Sequence, residues 1–376
     1  MKILHINSYY SCSSFYKNLY DKQKDNGLDI DVYVPVPEAY NTENLNLGEY
    51  TVISKNHGKY ERLIFHIKHR KIYNDIVKTY DISKFSLLHA HSLFSNGYIA
   101  YKLKKEYNIP YIVAVRSTDV NLFFKYMIGL RKLGIEIMKE ADKAIFLSKT
   151  YRAFVIEKYI PSKLKKEIFN KSEIIPNGVD DFWLENKGIP KTLNEQKEIN
   201  ILTVGDISKR KNQLTTIKAA KLLQKKGYKV KYTVVGKIKS KKIYQRIKHE
   251  PYVQYTPYTP KEKLLDIYRK NDIFIMPSLT ETFGLVYAEA MSQGLPVIYT
   301  RGQGFDGQFK EGEVGYSVNS SDIHEIVKKI ISIIENYSEI SKRCVKLVDK
   351  FNWNEITNNY NEIYKDILSR KGISIN

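Results

Sequence analysis

PSLTETFGLVYAEAMSQGLP, residues 277 to 296, follows the apolar run DIFIMP (272–277) and changes character twice. A loop carrying Ser278, Thr280 and Thr282 comes first. Gly284 then opens a helix-like segment through Val286, Ala288, Ala290 and Met291, which Gly294 and Pro296 bring to an end. The order is strand, loop, helix start. A helix N-terminus presents unpaired N–H groups and the positive end of its dipole, so Phe283, Gly284, Leu285 and Val286 make a seat for a phosphate. Glu281 stands just ahead of that helix and Glu289 near its second turn. At about 100° per residue these carboxylates do not stack on one face. They flank the seat instead, an arrangement suited to a ligand with a phosphate in its middle and hydroxyls at both ends, such as a nucleotide sugar.

Working outward, short apolar runs alternate with longer amphipathic ones, the pattern of parallel sheets with crossover helices. The first half predicts strands at 2–7, 29–35, 86–91, 110–115, 143–148 and 172–176. The second half restarts the alternation at 199–205, 229–236, 252–256, 272–277 and 296–300. Two doubly wound α/β domains follow, 1–180 and 181–350. The polar stretch LENKGIPKTLNEQKEI, with Gly188 and Pro190, serves as the linker between them. Open sheets of this kind bind ligands beyond the carboxyl ends of their strands, and two facing domains are expected to share one cleft. In the last stretch, 351–376, Trp353, Ile356, Tyr360, Ile363, Tyr364 and Ile367 form a helical stripe expected to cross back onto the first domain.

The 376 residues exceed one comfortable core, and 43% hydrophobic with 27% charged residues excludes the disordered class. Cys12 and Cys344 are the only cysteines, so neither a zinc site nor a disulfide framework is signalled, and a reducing cytoplasm is the expected compartment. MKILHINSYY is too short in apolar length for a signal peptide, and no run reaches the roughly 18 apolar residues of a spanning helix. The formal charge of +20 is spread along the chain, with 28 Lys/Arg against 19 Asp/Glu in residues 1–180 and 33 against 22 in the remainder. No nucleic-acid module accompanies it, and none is expected as a partner. Anionic substrates, an anionic membrane or plain base composition each account for the excess.

Other residues have two readings each. In TVGDISKRKNQLTTI, Arg210 and Lys211 sit in a strand-to-helix loop, either to meet a diphosphate beside Gly205 or as solvated surface. His89 and His91 of LLHAH share one face of a strand, as core or cleft lining; no nearby carboxylate or Cys completes a metal set. Arg116, Ser117, Thr118 and Asp119 end the strand at 110–115 and either face the cleft or cap a helix. Ser11, Ser13 and Ser14 lie in a hydroxyl-rich loop after the first strand, lining the same cleft or capping the first helix. The stretches 58–73 and 123–139 mix cations with large apolar residues, either resting at a lipid headgroup layer or packing inward with snorkelling lysines.

Several of these segments together resemble the retaining glycosyltransferases of family 4. They are ETFGLVYAE (281–289), with its two Glu residues separated by seven; VGDISKRKN (204–212); IIPNGVD (174–180); LLHAH; and FNW (351–353). The resemblance implies a GT-B fold, in which two Rossmann-like domains face one another across a cleft. It also implies transfer of a hexose or N-acetylhexosamine from a UDP-sugar to a hydroxyl of a glycan or lipid-linked acceptor, in bacterial surface polysaccharide assembly. Glu281 would bind donor-sugar hydroxyls and Glu289 the ribose; Thr282, the amides from Phe283 to Val286, Gly205, Arg210 and Lys211 would hold the diphosphate. The loop at Tyr258 would read the base through backbone atoms. Arg116 and Asp119 would stand with Glu281 at the reacting centre, and Ser11, Ser13, His91 and Asn177 on the acceptor side. The family works without a metal, so no cofactor beyond the donor is expected, with peripheral contact at an anionic inner membrane face. This chain departs from the family pattern at three places: Asp206 replaces the Arg usual after Gly205, Arg116 replaces a His, and serines replace the first-loop glycine pair. Two other functions fit the same architecture, a sugar-nucleotide epimerase and a non-catalytic partner of an active transferase.

Overall fold

The computed structural model describes residues 1–13, 15–43, 45–61, 64–193 and 198–373. Ser14 and linker residues 194–197 therefore lie outside the described residues. The chain divides into two compact units, Met1–Leu147 with Arg152–Ile175 and Trp353–Asn376, and Ser148–Tyr151 with Pro176–Asn352. The break at Ile175/Pro176 comes before the expected 180/181, so Asn177 belongs to the second unit and not with the acceptor-side residues of the first.

Among the described residues the first unit holds a seven-stranded sheet. Its strands are β1 (Lys2–Ile6), β2 (Asp29–Pro37), β3 (Thr51–His57), β4 (Leu87–Ala90), β5 (Tyr111–Ala114), β6 (Lys143–Phe146) and β7 (Ser172–Ile174). The order is β3-β2-β1-β4-β5-β6-β7, with every neighbouring pair parallel. The second unit holds β8 (Glu198–Val204), β9 (Lys229–Val235), β10 (Val253–Thr256), β11 (Ile273–Ile275), β12 (Val297–Thr300) and β13 (Gly315–Val318). Its order is β10-β9-β8-β11-β12-β13, again parallel. Parallel strands need helical crossovers on both faces, which is why the central strands read as unbroken apolar runs.

Both sheets reverse their winding once, between β1 and β4 and between β8 and β11. At such a switch point the loops leaving two neighbouring strands diverge and open a crevice. In the second unit those loops are the GDISKRKN and SLTETFG segments. In the first unit the helix Trp353–Arg370 buries Trp353, Ile356, Tyr360, Tyr364 and Ile367 in one core with Tyr16, Leu19 and Tyr20 of the helix Phe15–Asp25. The predicted stripe thus packs where it was expected, with Ile363 only partly buried.

Candidate active site

In the second unit, sequence and geometry meet after β8 and β11. Gly205 leaves β8 at φ 152°, and a Cβ there would press on the Lys211 side chain at 3.2 Å. The loop it starts is stitched to the one after β11: Leu279 N–H donates to the Arg210 carbonyl at 2.8 Å, and Asn212 Nδ2 donates to the Pro277 carbonyl at 3.0 Å. Arg210 Nη1 reaches the Thr280 carbonyl at 3.1 Å. Two segments about seventy residues apart therefore form one rigid rim.

Glu281 is the centre of that rim. It is 8% exposed, and its Oε2 accepts from Lys211 Nζ at 2.6 Å and Ser278 Oγ at 3.4 Å. Arg210 Nη1 lies 3.5 Å from the same oxygen. Oε1 accepts from the Thr282 amide at 3.2 Å, and Gln303 Oε1 holds the Glu281 amide at 2.8 Å. Lys211 is itself buried, so neither charge is left unpaired in a low-dielectric pocket. Two cations share one carboxylate, leaving a local positive excess.

That excess borders a helix start. Gly284, at φ 81° and ψ 67°, is the N-cap of the helix Leu285–Ser292. The left-handed conformation turns the chain sharply enough that a Cβ there would strike the Tyr287 ring at 2.5 Å. Tyr287 N–H donates to the Gly284 carbonyl at 3.0 Å. Among the described residues no acceptor meets the amides of Gly284, Leu285 and Val286. Open amides, a helix dipole and Lys211 with Arg210 together form an anion seat. Phe283 has its ring buried against Phe305 and Phe351, while Thr282 is exposed.

Glu289 is half-buried on the same helix, and its Oε2 accepts from the Tyr268 hydroxyl at 3.0 Å. Burial pushes its pKa up to about 7, with Asp180 adding to the rise and Tyr268 and Lys211 opposing it. Tyr258 follows β10 at the same end of the sheet, 65% exposed, with Lys237 Nζ 4.9 Å from its ring centroid. Tyr268 and Gln303 carry no sequence signal of their own. They reach the site from other elements, and only the fold brings them there.

The first unit corrects several expectations. Asp119 is 1% exposed. Its Oδ2 accepts from the amides of Leu93 at 3.0 Å and Arg116 at 2.8 Å, its Oδ1 from that of Phe94 at 3.0 Å. Burial raises its pKa to about 6 in spite of those amides. It clasps the loop after β4 to the loop after β5, and these three amides give it a positioning role. Arg116 is buried as well, its Nε donating to the His91 carbonyl at 3.4 Å. Burial works against its charge, and the fields of Tyr16, Tyr360, Tyr9 and Asp119 together outweigh it, so its pKa is raised. These partners all belong to the first unit. Ser11 turns inward to the Ser8 carbonyl at 3.1 Å, and Ser13 is exposed.

His91 does not line a surface either. His5 and His89 stand in register on β1 and β4, and His91, just past the end of β4, stacks on His89 with centroids 4.0 Å apart. All three are fully buried. His5 Nδ1 and the Tyr20 hydroxyl each lie 3.1 Å from His91 Nε2, and the Tyr364 hydroxyl lies 2.7 Å from His89 Nδ1. Burial lowers the His5 pKa to about 3 and drives the other two well down, helped by Arg116. Their ligand atoms fall within 4.8 Å of one another, yet among the described residues no carboxylate joins the group and Arg116 adds positive field. Three neutral imidazoles tying Tyr20 and Tyr364 to the sheet account for the cluster.

Comparison with known proteins places these observations in a context. Residues 13–181 match the family model described as Glycosyltransferase Family 4, and residues 185–350 that described as Glycosyl transferases group 1. The capsular polysaccharide biosynthesis glycosyltransferase CapM of Staphylococcus aureus is 28% identical over 230 residues, 56% of this chain and 60% of its own. Among solved structures, sucrose-phosphate synthase from Thermosynechococcus elongatus superposes with a TM-score of 0.76 at 17% identity, covering 98% of this chain and 100% of its own. HepE of Anabaena, in complex with UDP and glucose, superposes with a TM-score of 0.67 at 16% identity, covering 97% and 99%. At these identities the structural likeness concerns the fold, two Rossmann-like units.

Proposed function

Since the chain belongs to glycosyltransferase family 4, we propose that it is a retaining, metal-independent transferase. It moves a hexose or N-acetylhexosamine from a UDP-sugar to a hydroxyl of a glycan or lipid-linked acceptor. One observation carries the reading: the Lys211–Glu281 pair at 2.6 Å beside the open N-terminus of Leu285–Ser292, at the switch point of the second sheet. HepE, a neighbour in fold, holds UDP and glucose, which supports UDP. CapM is named for capsular polysaccharide biosynthesis, which supports a role in surface polysaccharide assembly; in our reading that role is cytoplasmic, on lipid-linked acceptors at the inner membrane face.

In this reading the donor diphosphate takes the amides of Gly284 to Val286 together with Lys211 and Arg210, displacing the Glu281 carboxylate from its cations. The freed oxygen accepts from a sugar hydroxyl. The bond from the anomeric carbon to the phosphate oxygen breaks while the acceptor oxygen bonds on the same face, and the acceptor proton passes to the departing phosphate. Charge growing on that phosphate is met by fixed amides and two cations, so no metal is needed. Glu289 accepts from the ribose.

The test is nucleotide release across a panel of UDP-, GDP- and ADP-sugars, with and without lipid-linked acceptor, on the wild type and on Glu281→Gln. Acceptor-stimulated release of UDP, reduced about a hundredfold by Glu281→Gln, is expected. Release unaffected by that substitution sinks the site, and acceptor-free formation of an epimer moves the protein to the isomerases.

A further inference from the structure

Glu289 has one oxygen occupied and one open. The Tyr268 hydroxyl donates to its Oε2 at 3.0 Å and lies 3.4 Å from the Val286 carbonyl, while among the described residues no donor meets Oε1. Tyr268 is fully buried. Burial, with the charge of Glu289 adding to it, drives the phenol pKa well up, so the hydroxyl keeps its proton and stays a donor. A carboxylate held at one oxygen cannot swing, and its second oxygen has a fixed aim.

Tyr268 is fixed in turn by the stretch that leads into the second unit. Buried Trp183 meets its ring edge to face, with centroids 5.3 Å apart. Lys191 Nζ caps the end of the helix Lys261–Arg269, which carries Tyr268, donating to the carbonyls of Arg269 at 2.8 Å and Asn271 at 2.6 Å. At the start of the same helix Lys261 pairs with Asp180 at 2.8 Å. Arg269 and Gln293 both donate to the Asn186 carbonyl, at 3.1 Å and 2.9 Å, which ties that helix to Leu285–Ser292. Residues 180–191 thus clamp the helix of Tyr268 against the helix of Glu289. A side chain packed on its ring and anchored at both ends of its helix has the rigidity needed to place a carboxylate to within about 0.5 Å.

We propose that Tyr268 is a positioning residue of the donor site: by holding Oε2 of Glu289 it presents Oε1 to a ribose hydroxyl, and so makes the site discriminate ribose from a sugar lacking that hydroxyl. The inference rests on the reading of Glu289 as the ribose acceptor. The same hydrogen bond favours the ionised carboxylate, acting with the positive field of Lys211 against burial and the negative field of Asp180. Without it, Glu289 becomes an acceptor only at higher pH.

Calorimetric titration of the full chain with UDP and with 2′,3′-dideoxy-UDP, from about pH 6 to about pH 9, tests it. The ratio of the two affinities removes the titration of the diphosphate and of the cations that hold it. In the wild type the ratio should rise through about 7, the pKa of Glu289, and level off at about tenfold. Tyr268→Phe deletes only the hydroxyl. It should move that rise up by about one pH unit, lowering the ratio about threefold near neutral pH and restoring most of it by about pH 9. A general loosening of the fold would weaken both ligands at every pH and move no midpoint. Tyr232→Phe removes an equally buried hydroxyl of the second unit, one that pairs with Thr203 at 2.9 Å, and should leave the ratio at its wild-type value. An equal shift in that control would overturn the role of Tyr268. So would an unmoved rise in Tyr268→Phe when Glu289→Gln abolishes the preference, and Glu289 would then stand as the ribose acceptor without it. Full preference for UDP in Glu289→Gln, or none in the wild type, would overturn both readings together.

Discussion

Glu289 and Glu281 are both carboxylates beside the anion seat, and their surroundings give them different work. Glu281 faces two cations and stays in their field. Glu289 has Tyr268 for a partner and burial against it, so its pKa stands at about 7. Two opposite pH effects follow. Because the folded pKa is raised, the stability linked to its proton is complete below the ordinary carboxylate range and is lost as pH rises through about 7. Ribose binding runs the other way, since a hydroxyl donates best to the ionised carboxylate. UDP affinity should therefore climb by about tenfold across the unit either side of about 7, and Glu289→Gln should flatten that climb. Calorimetric titration of UDP against both forms over that window reads it, and comparing the two removes the titration of UDP itself. An equal slope in the variant would place the titrating group elsewhere.

The elements that carry the site are short, and one backbone conformation sets them. Gly284 turns the chain from the loop after β11 into Leu285–Ser292, and the amides following it are open because of that turn. Gly284→Ala would meet the Tyr287 ring and the Glu281 side chain and must hold a left-handed φ. Stability should fall by about 1–2 kcal/mol in urea unfolding. UDP affinity should fall further, about tenfold or more, because the amides lose their aim. A loss of stability alone would mean that they do not hold the ligand. The same contrast between local and distant determinants explains what the sequence made legible. The Glu281–Pro296 stretch could be read because strand, loop, glycine and helix follow one another within it, and the central strands because both their faces are covered. Strands β3 and β13 were not predicted. Both are edge strands, β3 half-exposed along TVISKNH and β13 only four residues long, so neither carries the apolar run of a central strand. Where Arg116, Asp119 and His91 make their hydrogen bonds could not be read for a related reason. A polar residue at a strand end looks the same in sequence whether it faces a ligand or, as here, backbone amides and carbonyls under a helix from the far end of the chain.

The molecule as a whole is one topology used twice, and its chain order has a consequence for how it holds together. The first unit is begun at Met1 and completed only at the C-terminal helix, whose Trp353 packs 5.0 Å from the Phe15 ring and whose Tyr364 hydroxyl meets both Gln23 and His89. The second unit lies almost wholly between those two contributions and owes nothing in its sheet to either. The two units should therefore lose stability separately. Trp353 is 2% exposed, so Trp353→Ala should cost the first unit about 3–5 kcal/mol. Native-state hydrogen exchange reads this by location: amides of β4 and β5 should lose protection, while those of β8 and β9 keep theirs and UDP binding persists. Loss of protection in both sheets together would show the units to be one cooperative body. In that event removing any part of the final helix would abolish donor binding as well, because the anion seat could not outlast the sheet of the first unit.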